Sequence, residues 1–248
     1  MVDINTPEST PKLVVDALIG YNNNGGDPVS IGQVKLSLSA PYFNDSTPIV
    51  DTAEVFFINE ESGARYTLEQ DEPGVYGTSF PTLEFNTDYS LEILYNNEVY
   101  RATEQLVPAA IINNIEQGDG YLIDPDETEI TITIEDIVGE RNYYLFAFEF
   151  EDYLVSDDEF YQDNTLTFSY FYEDISAGDT VTITLLGITK RFSNYVNIVL
   201  SQTEASGGLF GSPIGTVRGN FINETNPDNF PLGYFSISEF NLAILEIE

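Results

Sequence analysis

Apolar residues recur at every second position in short runs along the whole chain. That spacing places one side of a pleated strand in a core, and it does not fit a helix. The cleanest runs are Ile130-Ile132-Ile134 and Tyr144-Phe146-Phe148-Phe150, and Val34-Leu36-Leu38 and Tyr89-Leu91-Ile93-Tyr95 follow the same rule. Turn residues separate the runs: Asn24-Gly25-Gly26, Ser62-Gly63, Pro73-Gly74, Asn96-Asn97 and Gly178-Asp179. Asn96-Asn97 between two alternating runs predicts a tight hairpin. The chain therefore reads as mainly β.

The spacing of runs suggests an order of parts. Residues 1–11, with Pro7 and Pro11, read as an N-terminal tether. Residues 12–107 carry closely spaced short strands, the pattern of an immunoglobulin-like or transthyretin-like β-sandwich. Residues 108–128 contain Pro108, Gly118, Gly120 and Pro125 and read as a junction without regular structure. Residues 129–248 form a second β-rich domain. Within it, Ile188, Phe192, Tyr195, Val196 and Val199 fall at helical spacing, which predicts one amphipathic helix over about 189–204, stopped by Gly207-Gly208. Residues 207–231 read as a long loop, followed by strands at Leu232–Ile237 and Leu242–Ile247.

Composition narrows the chemistry. A chain of 248 residues with 42% hydrophobic content can bury a large core without cross-links. The formal net charge is -34, from 8 basic and 42 acidic residues. Such a surface repels phosphate backbones, so no nucleic-acid partner is expected. The sequence has no His and no Cys. Serine–histidine triads, thiolate chemistry and the usual zinc, haem and iron–sulfur ligand sets are thereby excluded. No glycine-rich phosphate loop occurs, and no apolar run is long enough to span a bilayer as a helix. An enzyme is not expected, although paired carboxylates could still serve a glycoside hydrolase.

Two kinds of candidate site remain. Tyr42 and Phe43 follow Pro41 in a predicted loop, and Phe230 precedes Pro231 in another. Loop aromatics without a strand partner are candidate ligand or partner contacts, or caps on a sandwich core. Calcium takes oxygen ligands alone, and Asp119, Asp124 and Asp126 supply carboxylates beside turns at the junction. Asp157-Asp158-Glu159 with Asp163-Asn164 is a second acidic cluster. A solvated acidic loop is the commoner reading of each cluster, with calcium the alternative, and no other cofactor is expected. Lys190-Arg191 is the only adjacent basic pair, and Asn44-Asp45-Ser46 and Asn223-Glu224-Thr225 match the glycosylation sequon.

The order of several short motifs resembles a Bacteroidota lipoprotein family of unknown function. The motifs are Pro11–Ala17, Val34–Ser39 with Ala40-Pro41-Tyr42-Phe43, Ala53-Glu54-Val55, Gly74-Val75-Tyr76 and Tyr89-Ser90-Leu91, then Gly178–Val181, the helix with Tyr195, and Leu232–Phe235. The resemblance implies an outer-membrane, lipid-anchored protein on the cell surface or periplasmic face. It further implies a partner, a TonB-dependent receptor encoded nearby, and an accessory role in nutrient uptake with no catalytic residues. The lipidated Cys it implies is expected just before Val2-Asp3-Ile4. A calcium-stabilised adhesive protein is the other non-enzymatic reading.

Overall fold

The computed structural model describes residues 10–23, 27–40, 46–77, 79–148, 152–173, 175–205 and 216–248. Strands dominate. In chain order they are β1 (Leu13–Asn22), β2 (Val29–Leu38), β3 (Glu54–Asn59), β4 (Arg65–Leu68), β5 (Gln70–Glu72), β6 (Val75–Tyr76), β7 (Asp88–Tyr95) and β8 (Glu98–Gln105). β9 (Ile111–Gln117), β10 (Thr128–Glu135), β11 (Tyr143–Ala147), β12 (Tyr153–Asp157), β13 (Thr165–Tyr172) and β14 (Thr180–Ile188) follow. The helix α1 (Lys190–Ala205) precedes β15 (Ile222–Asn223) and β16 (Leu232–Glu246). The fold is mainly β with one helix among the described residues, as expected, and α1 lies within a residue of its predicted bounds.

One sheet runs through the whole molecule, with strand order β12-β11-β14-β16-β1-β2-β6-β5. A five-stranded sheet, β15-β8-β7-β3-β4, covers one end of it, and a three-stranded sheet, β13-β10-β9, covers the other. Each pair of sheets encloses a core. The first holds Val15, Ile19, Phe57, Leu91 and Phe235, all fully buried. The second holds Ile130, Ile132, Ile134, Tyr144 and Phe146. Each such side chain contributes roughly 1.5–3 kcal/mol relative to an exposed position. α1 lies on the outer face of the large sheet, where Phe192 and Tyr234 pack with Leu145 and Leu186.

The turn chemistry holds at β7–β8. Asn96 and Asn97 both take positive φ, 51° and 64°, as a two-residue turn of matching twist requires. Tyr95 pairs with Glu98 directly across it.

Three expectations are corrected. The junction contains a strand, β9, paired with β10. Its register slips between Thr133 and Ile134, so that Asn113 is an extra residue in the ladder. The bulge puts Ile112 and Ile115 on one face, packed against the second core, although they are three apart in sequence. That spacing hides the strand from a period-two reading.

The two segments expected at the C-terminus are one 15-residue strand, β16. No turn residue interrupts Ser238–Asn241, so pairing simply changes partner. Leu232–Glu239 run parallel to β1, and Phe240–Glu246 run antiparallel to β14. Phe235 and Ile237 enter the first core, and Leu245 and Ile247 belong to the second. The boundary drawn at 108–128 is therefore crossed again at the end of the chain. β15 lies inside the predicted loop 207–231 and also pairs with the first sandwich, at β8.

Candidate functional site

Eight basic residues face 42 acidic ones in this chain, so any cation without a carboxylate partner is informative. Arg65, Arg101 and Arg141 are in ion pairs, with Glu92, with Glu60 and Glu92, and with Asp157 and Glu159. Among the described residues no ion pair involves Lys12, Lys35, Lys190, Arg191 or Arg218; of these, Arg191 and Arg218 line one recess and Lys12 stands on the ring of Phe230, which lines it too. Lys12 Nζ and Arg218 Cζ each stand 3.5 Å from the ring centroid of Phe230. Lys12 also donates to Phe230 O at 3.4 Å. Arg191 donates to Gly219 O at 3.1 Å and lies 6.0 Å from the Tyr234 ring. Arg191, Arg218, Phe221, Asn223, Pro227 and Phe230 line a recess of about 480 Å³.

The recess is built on an asparagine series. Asn220, Asn223, Asn226 and Asn229 occur at every third residue. Asn223, Asn226 and Asn229 donate side-chain amides to Glu98, at 3.1, 2.9 and 2.6 Å. Tyr100 donates its hydroxyl to the same carboxylate. These donors hold the Glu98 carboxyl below its ordinary value of 4.5, the Tyr100 hydroxyl bond counting most. Asn223 Oδ1 accepts the backbone N–H groups of Thr225 and Asn226, a local turn that orders the segment. The sequon at Asn223 is thus committed to folding contacts, and its side chain is buried.

Asn220 serves a second carboxylate. It donates to Glu104 Oε1 at 2.7 Å, and Tyr234 adds a longer bond at 3.4 Å. Burial pushes the Glu104 carboxyl up, and the amide bond and the nearby Arg191 charge pull it back. Both carboxylates stand on β8, so this strand carries the segment that presents Phe230.

The helix adds to the positive field. Thr189 caps α1 by accepting Phe192 N–H at 3.1 Å. The first turn has no acid and instead carries Lys190 and Arg191. Cations here oppose the helix dipole, at about 0.3–1 kcal/mol each. Local rules broken without local gain tend to mark function.

The other predicted residues fall elsewhere. Tyr42 and Phe43 lie outside the described residues. Asp124 and Asp126 line a shallow recess with Ile123, Glu127 and Glu173, and Asp119 is exposed nearby. There Glu127 accepts the backbone N–H groups of Leu122 and Ile123, and Asp124 accepts that of Asp126. Their carboxylates order the turn. Among the described residues no three or more acidic side chains are grouped as a metal cage. A further recess of about 440 Å³ opens between α1 and the large sheet, lined by Leu18, Leu145, Tyr195, Val199 and Tyr234. The sequence marks Phe230 and, separately, the pair Lys190-Arg191, but does not join them with Lys12 and Arg218, because these residues come from three separate segments. The asparagine spacing was the available signal for the segment's order.

Fold and site together define a double β-sandwich protein with a cationic recess in a strongly acidic chain. The chain matches the domain of unknown function DUF4249 over residues 1–241 and belongs to that family. No curated protein matches it. Among solved structures, it is similar to the chicken interferon gamma receptor alpha chain at 13% identity, covering 71% of this chain and 88% of that one, with a TM-score of 0.20.

Proposed function

We propose that this protein is a non-catalytic binding module that captures an anionic ligand at Phe230. We further propose that a lipid anchor holds it at the outer membrane, where it serves a TonB-dependent uptake system. The supporting observation is the placing of Lys12 and Arg218 on the Phe230 ring, with Arg191 lining the same recess, none of the three in an ion pair among the described residues. Self-repulsion in a chain of net charge -34 favours dispersing acids, and these would neutralise stray cations. A recess whose cations make no ion pair, and whose nearby acids Glu98 and Glu104 are held by asparagine amides, is suited to a carboxylate or phosphate group. Lys12 and Arg218 hold their positions through the ring, at about 0.5–1 kcal/mol each. Their remaining N–H groups stay available to a ligand. The uptake role rests on the motif order quoted above.

Isothermal titration with citrate tests the recess. Saturable binding is expected, weakened at least about tenfold by Arg218→Gln and by high salt. No heat, or heat unchanged by Arg218→Gln, would overturn the ligand reading. Mild-detergent pull-down of the lipidated protein from its native membrane tests the partner, and recovery of no TonB-dependent receptor would overturn that part.

A further inference from the structure

Six strands end the three sheets: β12 and β5, β13 and β9, β15 and β4. A free edge invites another strand, and proteins blunt it with short strands, bulges or charge. Five of the six are blunted. β15 has two residues, β5 has three of which two are acidic, β4 has four beginning at Arg65, and β12 has five ending at Asp157. β9 carries Glu116 and the bulge at Asn113. β13 is the exception. Its eight residues, Thr165–Tyr172, include no charge and no proline, and its register against β10 is continuous.

The direction of its free backbone groups follows from two hydrogen bonds. Gly118 N–H donates to Glu129 O, and Asp136 N–H donates to Asn164 O. Backbone groups of successive residues alternate between the two edges of a strand. Odd-numbered residues of β10 therefore face β9, and even-numbered residues of β13 face β10. The N–H and C=O groups of Thr165, Thr167, Ser169 and Phe171 point away from the sheet, and among the described residues no backbone hydrogen bond reaches them. The strand is nonetheless held firmly from behind. Tyr170 stacks on Phe148 with ring centroids 3.9 Å apart and donates to Asp152 at 2.7 Å. Thr167 bonds to Thr133 across the sheet at 3.0 Å.

The second core is open on this flank. Leu166, Phe168 and Tyr170 face it but are only partly buried. Leu154 on β12 pairs with the buried Phe146, so it turns to the same core, yet it is 41% exposed. One more strand beside β13 would satisfy the free backbone groups and cover these side chains together.

We propose that β13 takes up an extended segment of a partner protein as an added antiparallel strand, and that this segment is basic at its ends. Residues opposite Thr165, Thr167, Ser169 and Phe171 bond to the edge. The apolar residues between them lie over Leu154, Leu166 and Phe168. The basic ends follow from charge. Asp163 and Glu135 stand at one end of β13, and Glu129 and Glu173 at the other. Arg141 is already paired with Asp157 and Glu159. A second copy of this chain would set the same acids, and a net charge of -34, against themselves. This edge is separate from the Phe230 recess.

The probe is a labelled peptide of alternating valine and threonine with two lysines at each end. Fluorescence anisotropy with the full chain should show saturable binding, weakened at least about tenfold when glutamates replace the lysines. With the valines turned to the core, the threonine N–H groups face β13 and the valine N–H groups face solvent. N-methylation of the threonines should weaken binding at least about tenfold, and N-methylation of the valines should change it by less than about threefold. Thr167→Pro removes an N–H that the sheet does not use, a place where an edge strand tolerates proline, and should weaken binding at least about tenfold with the circular dichroism unchanged. If that variant fails to fold, the two methylated peptides decide, because they leave the protein untouched. No saturable binding, equal binding of the two methylated peptides, or equal binding of the lysine and glutamate peptides would overturn the proposal. So would a dimer in sedimentation velocity that Thr167→Pro dissociates, since the edge would then belong to a second copy.

Discussion

The side-chain amide of Asn220 makes both backbone hydrogen bonds of Phe235. Asn220 Oδ1 accepts Phe235 N–H at 2.9 Å, and Asn220 Nδ2 donates to Phe235 O at 2.7 Å. One side chain thus stands where a neighbouring strand would be, on the edge of β16 facing away from β1. The same amide nitrogen reaches Glu104 on β8, so the residue joins the two sheets of the first sandwich and anchors the segment that ends at Phe230.

Asn220→Ala should therefore destabilise the protein by about 2–4 kcal/mol, because two buried backbone groups and one carboxylate lose partners together. Asn220→Asp should cost at least as much. It can still accept Phe235 N–H but cannot donate, and it sets a second carboxylate beside Glu104. Urea denaturation monitored by circular dichroism measures both. A loss under about 0.5 kcal/mol for Asn220→Ala would show that water replaces the amide.

Glu98 predicts an acid-sensitive segment. Its folded pKa is lowered below the ordinary 4.5 by hydrogen bonds from Tyr100 and three asparagines. A lowered folded pKa means that the unfolded chain binds the proton first. The stabilisation is complete above the unfolded value and is lost as pH falls through the folded one. Hydrogen exchange over residues 222–230 should be slow and flat with respect to this carboxylate above about pH 5, and should report local opening in the acid range below it. Glu98→Gln should raise protection loss about tenfold in this segment at neutral pH, with the exchange of β10 unchanged.

Much of the architecture was legible from residue spacing. Period-two runs gave most strands, Asn96-Asn97 gave a hairpin, and the spacing from Ile188 to Val199 gave the helix. What escaped notice shares a physical cause. Pairing of β16 with β1 joins opposite ends of the chain, and parallel pairing leaves no turn between partners to recognise. In β9 the bulge at Asn113 breaks the alternation that marks a strand. Phe230 could be nominated as a loop aromatic before a proline. Arg191 stood out only as half of the pair Lys190-Arg191, and its meeting with Lys12 and Arg218 could not be read, since the three come together only once the start of β1, α1 and the asparagine segment have assembled. Asp158 could be seen only as one acid in a cluster, because its burial is a property of the fold.

Close approach of β16 to β1 depends on Gly233. Its φ is +91°, and a Cβ there would lie 1.9 Å from Val15 O. Gly233→Ala should cost about 3 kcal/mol or more, since backbone strain and a clash with main chain add. Gly63 is the control: its φ is +71°, and a Cβ would meet nothing within 4 Å. Gly63→Ala should cost only the conformational part, about 1 kcal/mol. Equal losses for the two variants in thermal melts would show that the strands separate to admit the methyl group.

Charge makes a last prediction. At net charge -34 the folded chain repels itself, and the repulsion is long-ranged at low salt. The screening length falls from about 30 Å at 0.01 M to about 3 Å at 1 M, so sodium chloride should raise Tm across that range. Screening also weakens attractive pairs, but those of Arg65 and Arg101 are partly exposed, worth about 0–1 kcal/mol each, and that of Arg141 is exposed and weaker still. Repulsion spread over 42 acids outweighs them. Thermal melts in sodium chloride and in choline chloride at equal ionic strength should rise together, because screening depends on charge and not on the cation. A decrease in Tm with salt would show that the few ion pairs dominate.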